Sequence, residues 1–290
     1  MSDDVAAAVT ALFVPGDRPD RYAKAVSSGA DVVIIDLEDA VAPGDKGAAR
    51  DAVISALRPQ RDRSTASALR ALVRINDPES TLGSADLAAL VALAGEPGHG
   101  LIGVVVPKAG HPAALAAVID TVSGVGVGVG PGADGIAVVA LIESALGVAN
   151  VRALAALPGL NRLAFGALDF GLDVGADVDA LTGQVARAEL VIASRAAGLD
   201  APWESPSTSL NDTTLIETTS RAARALGFGG RLCIHPAQLA AVRAGFTPTA
   251  EEVAWAQRIA RAGDSVSRLD DQMVDRPVLE RARSILRRAR

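Results

Sequence analysis

In "ALIESALGV" (Ala140 to Val148) a single acid closes an apolar run: Glu143 stands where the strand-like "GIAVVALI" ends and the helical "SALGVANVRALAAL" begins. Asp169 ends the next strand-like run 26 residues later. Neighbouring parallel strands lie about 4.8 Å apart, so carboxylates on adjacent strand ends can grip one hard cation. Oxygen-only ligation with open water positions suits Mg²⁺. Each acid could instead cap the helix that follows it, and position alone leaves both readings open. "DLEDAV" adds Glu38 and Asp39 at the end of another run. Four unpaired acids on one rim would repel one another, and a divalent ion is the simplest remedy.

Arg74, ending "VRIN", has the fork geometry to hold a substrate carboxylate or a polarised oxygen, or to pair with Glu38 or Asp39. Lys108 ends "VVVPK", where a Schiff-base aldolase could keep its lysine. An acid-rich rim would hold that amine protonated, which favours a salt bridge there. His235 in "CIHP" reads as structural rather than as a base, and Cys233 as a small core residue. Glu204 and "SPSTS" read as a loop near the site.

Eight short apolar runs must position these groups: "ALFVPG", "VVIIDLED", "ALVRIN", "GVVVPK", "GIAVVALIE", "RLAFG", a weaker "APWESP", and "RLCIHP". They do not alternate in polarity, which implies burial on both faces, and Ala-rich helical segments separate most of them. Eight βα units predict a (β/α)₈ TIM barrel of class α/β; an open doubly wound sheet is the competing architecture. The polar run-ends favour the barrel, where they converge on one face. "SGVGVGVGPGADG" follows a helix and leads into a strand, the reverse of the dinucleotide-binding order, so it reads as a loop. Residues 1–245 are expected to form the barrel. Residues 246–290 are expected to form a helical lid or oligomerisation segment, with two helices joined by "DSVSRLDDQMVD".

Bulk properties narrow the partners. The chain has 290 residues, 49 % hydrophobic and 21 % charged, with a net charge of −6 and 3 % aromatics. That balance argues against a nucleic-acid surface. No apolar stretch has the length of a membrane span, and the N-terminus lacks the basic segment of a secretory signal. One cysteine excludes an internal disulfide framework, so a cytoplasmic setting is expected.

Seven ordered segments carry a resemblance: "LFVPGDRPDRYAKAVSSGADVVIIDLEDAVAPGDK", "VRIN", "VVPKA", "LIESALGV", "RLAFGALDF", "GFGGRLCIHPAQ" and "DQMVDRPVLERAR". Together they resemble the citrate lyase β-subunit-like CoA-ester lyases of the HpcH/HpaI aldolase group, which also holds malyl-CoA and citramalyl-CoA lyases. The resemblance implies a metal-dependent carbon–carbon lyase that splits a 3-hydroxyacyl thioester into an acyl-CoA and a keto acid. It also implies a homotrimer or hexamer. Under it Glu143 and Asp169 hold Mg²⁺, while Glu38 and Asp39 hold waters on the metal. Arg74 contacts the keto acid, and Arg18 and Lys24 reach CoA phosphates. Asp275 arrives from an adjacent subunit beside the thioester and could move a proton at the acyl methyl group. Amides near Gly166 and Ala167 are candidates to support an oxyanion. The departure from the pattern is at Asp271 and Gln272, where relatives often have glycine. Alternatives are a lyase β subunit working on an acyl-carrier protein, imine chemistry through Lys108, and a subunit without activity of its own.

Overall fold

Apolar strands that must be buried on both faces need one layer of side chains inside and another outside. A closed barrel supplies both. The computed structural model describes residues 2–59, 69–124, 135–261, 267–269 and 272–289. Its strands are β1 (Thr10–Pro15), β2 (Val32–Asp36), β3 (Ala71–Arg74), β4 (Leu101–Val106), β5 (Ala137–Ile142), β6 (Arg162–Phe165), β7 (Asp200–Glu204) and β8 (Gly230–Cys233). All pair in parallel in sequence order, and β8 closes onto β1. The eight expected runs are these eight strands, and the open sheet is excluded.

Alternation along each strand builds two cores. Leu12, Val14, Val33, Ile35, Val138, Ala140 and Ile142 pack outward against the helices. Ala11, Ile34, Val139, Leu141, Trp203 and Leu232 fill the lumen. Side chains two apart share a face. The inward series therefore continues to Asp36 on β2, Arg74 on β3 and Glu143 just beyond β5, all at the C-terminal mouth.

Helices α1 (Ser2–Ala7), α2 (Tyr22–Val26), α3 (Lys46–Leu57), α4 (Thr81–Ala94) and α5 (Pro112–Ser123) precede β5. The helical run after Glu143 is broken at Asn150 into α6 (Ala145–Ala149) and α7 (Val151–Ala155); the Asn150 side-chain Nδ2 donates to the Gly110 carbonyl at 2.8 Å. Then come α8 (Ala167–Val174), α9 (Leu181–Ala197), α10 (Thr213–Leu226) and α11 (Leu239–Phe246). The C-terminal pair is α12 (Ala250–Arg261) and α13 (Arg276–Arg288), which share a small apolar cluster of Ala256, Ile259, Val274, Leu279 and Ala282. Their connection contains an antiparallel hairpin, β9 (Ser267–Leu269) with β10 (Gln272–Val274), that helical periodicity did not announce. The glycine-rich loop at 125–134 and Asp271 lie outside the described residues. Among the described residues no helix is long and apolar enough to cross a membrane.

The floor of the barrel is closed by an arginine. Arg162 points into the lumen, donates from Nε to the Ala201 carbonyl (2.6 Å) and from Nη1 to those of Val5 (2.7 Å) and Ala8 (3.0 Å), and stacks 4.5 Å over Trp203. Trp203 Nε1 donates to the same Ala8 carbonyl at 2.9 Å. These bonds satisfy carbonyls at the end of α1 that would otherwise be buried without donors. Arg162→Ala would strand them and empty the floor, so unfolding free energy should fall by about 3–5 kcal/mol. Urea denaturation should show a lower midpoint at unchanged slope. Arg70→Ala, which removes only the exposed pair with Asp4 (2.7 Å), should cost less than about 1 kcal/mol.

Candidate active site

A cavity of about 370 Å³ opens at the C-terminal mouth, with Asp36, Arg74, Glu143, Asp169 and Ser205 in its polar wall and Phe13, Leu141, Leu232 and Ile234 in its apolar wall. The strand-end members occupy the inward series described above.

Asp36, 2 % exposed, is the anchor. Its Oδ1 accepts from Arg74 Nε (2.7 Å) and the Glu38 amide (2.9 Å); its Oδ2 accepts from Arg74 Nη2 (2.6 Å) and the Ala40 amide (3.1 Å). One carboxylate thus fixes both the guanidinium and the loop that carries Glu38 and Asp39. Arg74 also lies 4.9 Å over the Phe13 ring. Burial pulls its pKa down, but the pairing with Asp36, aided by Glu38 and Asp39, outweighs this and holds the guanidinium more firmly charged. The pairing of Arg74 with Glu38 (3.0 Å) and Asp39 (3.4 Å), the alternative to substrate binding, is present but secondary to Asp36, a residue the sequence did not single out. Behind the loop, the buried Lys46 donates Nζ to the carbonyls of Leu37 (2.8 Å) and Glu38 (2.5 Å), a second contributor not anticipated.

Glu38 sits buried between two cations, Arg74 Nη1 at 3.0 Å and Lys108 Nζ at 3.0 Å. Neither contact has the directionality of a hydrogen bond, and both carboxylate oxygens lack a donor. Burial raises the Glu38 pKa, with Arg74 opposing. Lys108, at φ 50°, has its pKa raised chiefly by the pairing with Glu38, so its amine is held protonated. Asp39 is on the outer edge, its side chain 60 % exposed.

Glu143 does not cap a helix. Ser144 caps α6 by accepting from the Gly147 amide (3.0 Å), while Glu143 Oε1 accepts from the Lys108 amide (2.7 Å). Burial, reinforced by the nearby Glu38 charge, pushes the Glu143 pKa up to about 8. Its Oε2 lies against Gly166, where any Cβ would come within 2.7 Å of that oxygen and 2.6 Å of Glu143 Cβ. Glycine there keeps the space beside the carboxylate clear.

Asp169 does not end a strand, because β6 stops at Phe165 and Gly166 turns the chain into α8. Asp169 is in the first turn of α8, exposed to the cavity. The Gly166 and Ala167 amides are not free for an oxyanion either: the first donates to the Ile142 carbonyl (2.9 Å), the second to Ser205 Oγ (3.1 Å). Ser205 is in turn held by Glu204, whose Oε1 accepts its amide (2.8 Å) and whose Oε2 takes Arg187 Nε (2.8 Å). Glu204 and Ser205, read from sequence only as a loop, therefore brace the start of α8 and through it Asp169.

Arg18 forks onto Asp20 (2.9 and 2.8 Å) on the surface after β1, and Lys24 is exposed on α2; neither lines the cavity. Asp275 caps α13 by accepting from the Val278 amide (3.2 Å), and it too is absent from the cavity of its own chain. His235 Nδ1 accepts from the Ala237 amide (3.2 Å) in a capping box with Gln238, the structural role expected of it. Cys233 is buried in the core, its thiol pushed up to about 12 by burial.

Charge decides what the mouth can hold. Asp36, Glu38, Asp39, Glu143 and Asp169 face Arg74 and Lys108, five carboxylates against two cations. Among the described residues no three acid, histidine or cysteine side chains form a ready metal cage. The residues fit a cation held by two carboxylates, with substrate and water completing the shell, which is the manner of Mg²⁺.

The HpcH/HpaI aldolase/citrate lyase family model matches residues 10–236. The citrate lyase subunit beta-like protein of Deinococcus radiodurans is 34 % identical over 287 residues, covering 95 % of each chain. The L-malyl-CoA/beta-methylmalyl-CoA lyase of Cereibacter sphaeroides is 30 % identical, covering 96 % of this chain and 93 % of its own. Among solved structures, the CitE protein of Mycobacterium tuberculosis in complex with magnesium, acetoacetate and coenzyme A superposes with a TM-score of 0.79 at 31 % identity, covering 98 % of both chains.

The Glu143 carboxyl makes stability depend on pH in the metal-free protein. Its pKa is about 8 folded against an ordinary 4.5, so between those values the folded chain binds a proton that the unfolded chain has lost. The corresponding stability is fully present below 4.5 and is lost as pH rises through about 8. The thermal midpoint should fall across this window relative to Glu143→Gln, whose side chain stays neutral. The difference should be on the order of a few kcal/mol, read by calorimetry from pH 5 to 8.5 in protein stripped of metal. Parallel profiles for the two proteins would refute it.

Proposed function

We propose that this chain, which belongs to the HpcH/HpaI aldolase/citrate lyase family, cleaves and forms a carbon–carbon bond in a 3-hydroxyacyl-CoA thioester such as malyl-CoA or citramalyl-CoA, giving an acyl-CoA and a keto acid. The observation that carries this reading is the uncompensated negative charge at the mouth beside an immobilised arginine. Such a site receives a cation and an anionic hydroxy acid together. The malyl-CoA specificity named for the Cereibacter relative and the magnesium and CoA named for the Mycobacterium structure support it.

Glu143 and Asp169 would hold Mg²⁺, which when bound supplies Lewis acidity and a template for the carboxylate and hydroxyl oxygens of the hydroxy acid. Arg74 meets the anionic half of the substrate already oriented by Asp36, so little freedom is lost on binding. The two donor-less oxygens of Glu38 are suited to accept from metal-bound water or from the substrate hydroxyl. Because Glu38 holds the Lys108 amine protonated, that lysine stabilises negative charge rather than forming an imine. Arg18 and Lys24, outside the cavity wall, are assigned the phosphates of CoA on the family resemblance alone. Asp275 is assigned the proton transfer at the acyl carbon, contributed by a neighbouring copy in a trimer or hexamer, with residues 246–290 acting as the lid.

Incubation with malyl-CoA and citramalyl-CoA, with Mg²⁺ or with excess EDTA, tests the reading by mass spectrometry. Keto acid and acyl-CoA should form only with Mg²⁺, and should fail to form in Asp169→Ala. Cleavage that survives EDTA would sink the metal-dependent reading, and no cleavage of either ester would sink the CoA-ester assignment.

Ser205 should act through Asp169. Ser205→Ala removes the acceptor at the start of α8, so the Mg²⁺ dissociation constant measured by titration calorimetry should rise about fivefold. The metal-free thermal midpoint should fall by no more than a few degrees, the loss of one buried hydrogen bond, and Ser205→Thr should restore both midpoint and affinity. Unchanged Mg²⁺ affinity in the alanine variant would remove Ser205 from this role.

A further inference from the structure

The opposite end of the barrel holds a larger cavity, of about 730 Å³. Val9 enters it just before β1, Asp31 just before β2 and Gly229 just before β8, which sets it at the N-terminal face, away from the mouth. Its apolar surface comes from Ala7, Val9, Phe228 and Phe246, and three arginines converge on it from three helices: Arg224 of α10, Arg243 of α11 and Arg288 of α13.

The positive charge there is not used up. Asp31 is the one acid among the described residues lining the cavity, and its capacity is spent. Its Oδ2 accepts from the amides of Val9 (3.0 Å) and Thr10 (2.8 Å) and from Thr10 Oγ1 (2.8 Å), and its Oδ1 takes Arg243 Nη2 (2.6 Å). The Arg224 side chain is only 8 % exposed. Glu252 holds its Nη2 (2.9 and 2.8 Å), but its Nε is buried with no partner. Arg288 is exposed and forms no ion pair among the described residues. Three guanidiniums face two carboxylates, a local excess of one positive charge in a chain whose net charge is −6. Among the described residues the unpaired Arg288 and the partnerless Nε of Arg224 are the donors still open there, and a guanidinium nitrogen without an acceptor is a donor for a carboxylate or phosphate oxygen.

We propose that this basal cavity binds a small organic anion carrying two or more negative charges and an apolar side. Its charged end would bridge Arg224 and Arg288, and its apolar side would rest toward Phe228 and Phe246. The ligand would tie α13 to α10 and α11. The proposal uses no residue of the mouth, though Phe246, Thr247 and Arg288 belong to the segment proposed above as the lid, so binding rather than turnover is the readout.

Titration calorimetry on full-length protein freed of metal with a chelating resin tests it, using inorganic phosphate, AMP and citrate in separate arms. Without metal the acid-rich mouth repels all three. At least one probe should bind with a dissociation constant below about 10 mM. AMP binding more tightly than inorganic phosphate identifies a phosphate ester, and citrate binding most tightly identifies a polycarboxylate. Arg288→Gln, at an exposed and unpaired position, should weaken the bound probe about tenfold or more. Thr247→Glu, which puts a carboxylate on the cavity wall, should abolish binding. Circular dichroism and thermal midpoints of both variants should match the parent. Absence of binding in all three arms, or binding that either substitution leaves unchanged, overturns the proposal.

Discussion

The guanidinium of Arg74 lies under the mouth with Asp36 gripping it through two nitrogens, and the same carboxylate accepts the amides of Glu38 and Ala40. Removing either partner would leave the other buried and charged without its main counter-ion, a loss of about 3–5 kcal/mol for a pair of this kind. The larger consequence is geometric. Glu38 owes its position to that loop, Lys108 leans on Glu38, and Glu143 takes the Lys108 amide, so the acids of the rim form a chain that starts at Asp36.

That chain keeps negative charge concentrated where a barrel would otherwise shed it. Two cations face five carboxylates there, and burial, with neighbouring acids adding to it, raises the pKa values of Glu38 and Glu143. The lumen below the mouth is apolar, and Arg162 seals the floor through backbone carbonyls instead of acids.

Strand number, strand order and the rim itself were legible in the sequence, because doubly buried strands leave unbroken apolar runs and their polar ends mark the C-terminal face. What was missed follows a finer rule. Counting by twos from Ile34 leads to Asp36 and from Trp203 to Ser205, both facing the cavity, whereas Glu204 on the opposite parity points outward to Arg187. Attention to acids past the strand ends selected Glu38 and Asp39 over the one inside. The helix interruption at Asn150 and the β9–β10 hairpin were not legible, since the first depends on a carbonyl 40 residues away and the second on strands too short to show a period. The bracing of α8 joins Ala167 to Ser205 and Arg187 to Glu204, contacts no local pattern encodes.

The two carboxylates beside Gly166 are mounted differently. Glu143 extends from a strand of the closed sheet, whereas Asp169 rides on an eight-residue helix whose first amide is held by one hydroxyl. In the proposed metal site one jaw is bolted to the frame and the other is sprung. Two side-chain hydrogen bonds, Ala167 to Ser205 and Ala145 to Asp173, tie that helix to its surroundings, and no strand pairing does, so a shift of Asp169 would leave the closed sheet untouched.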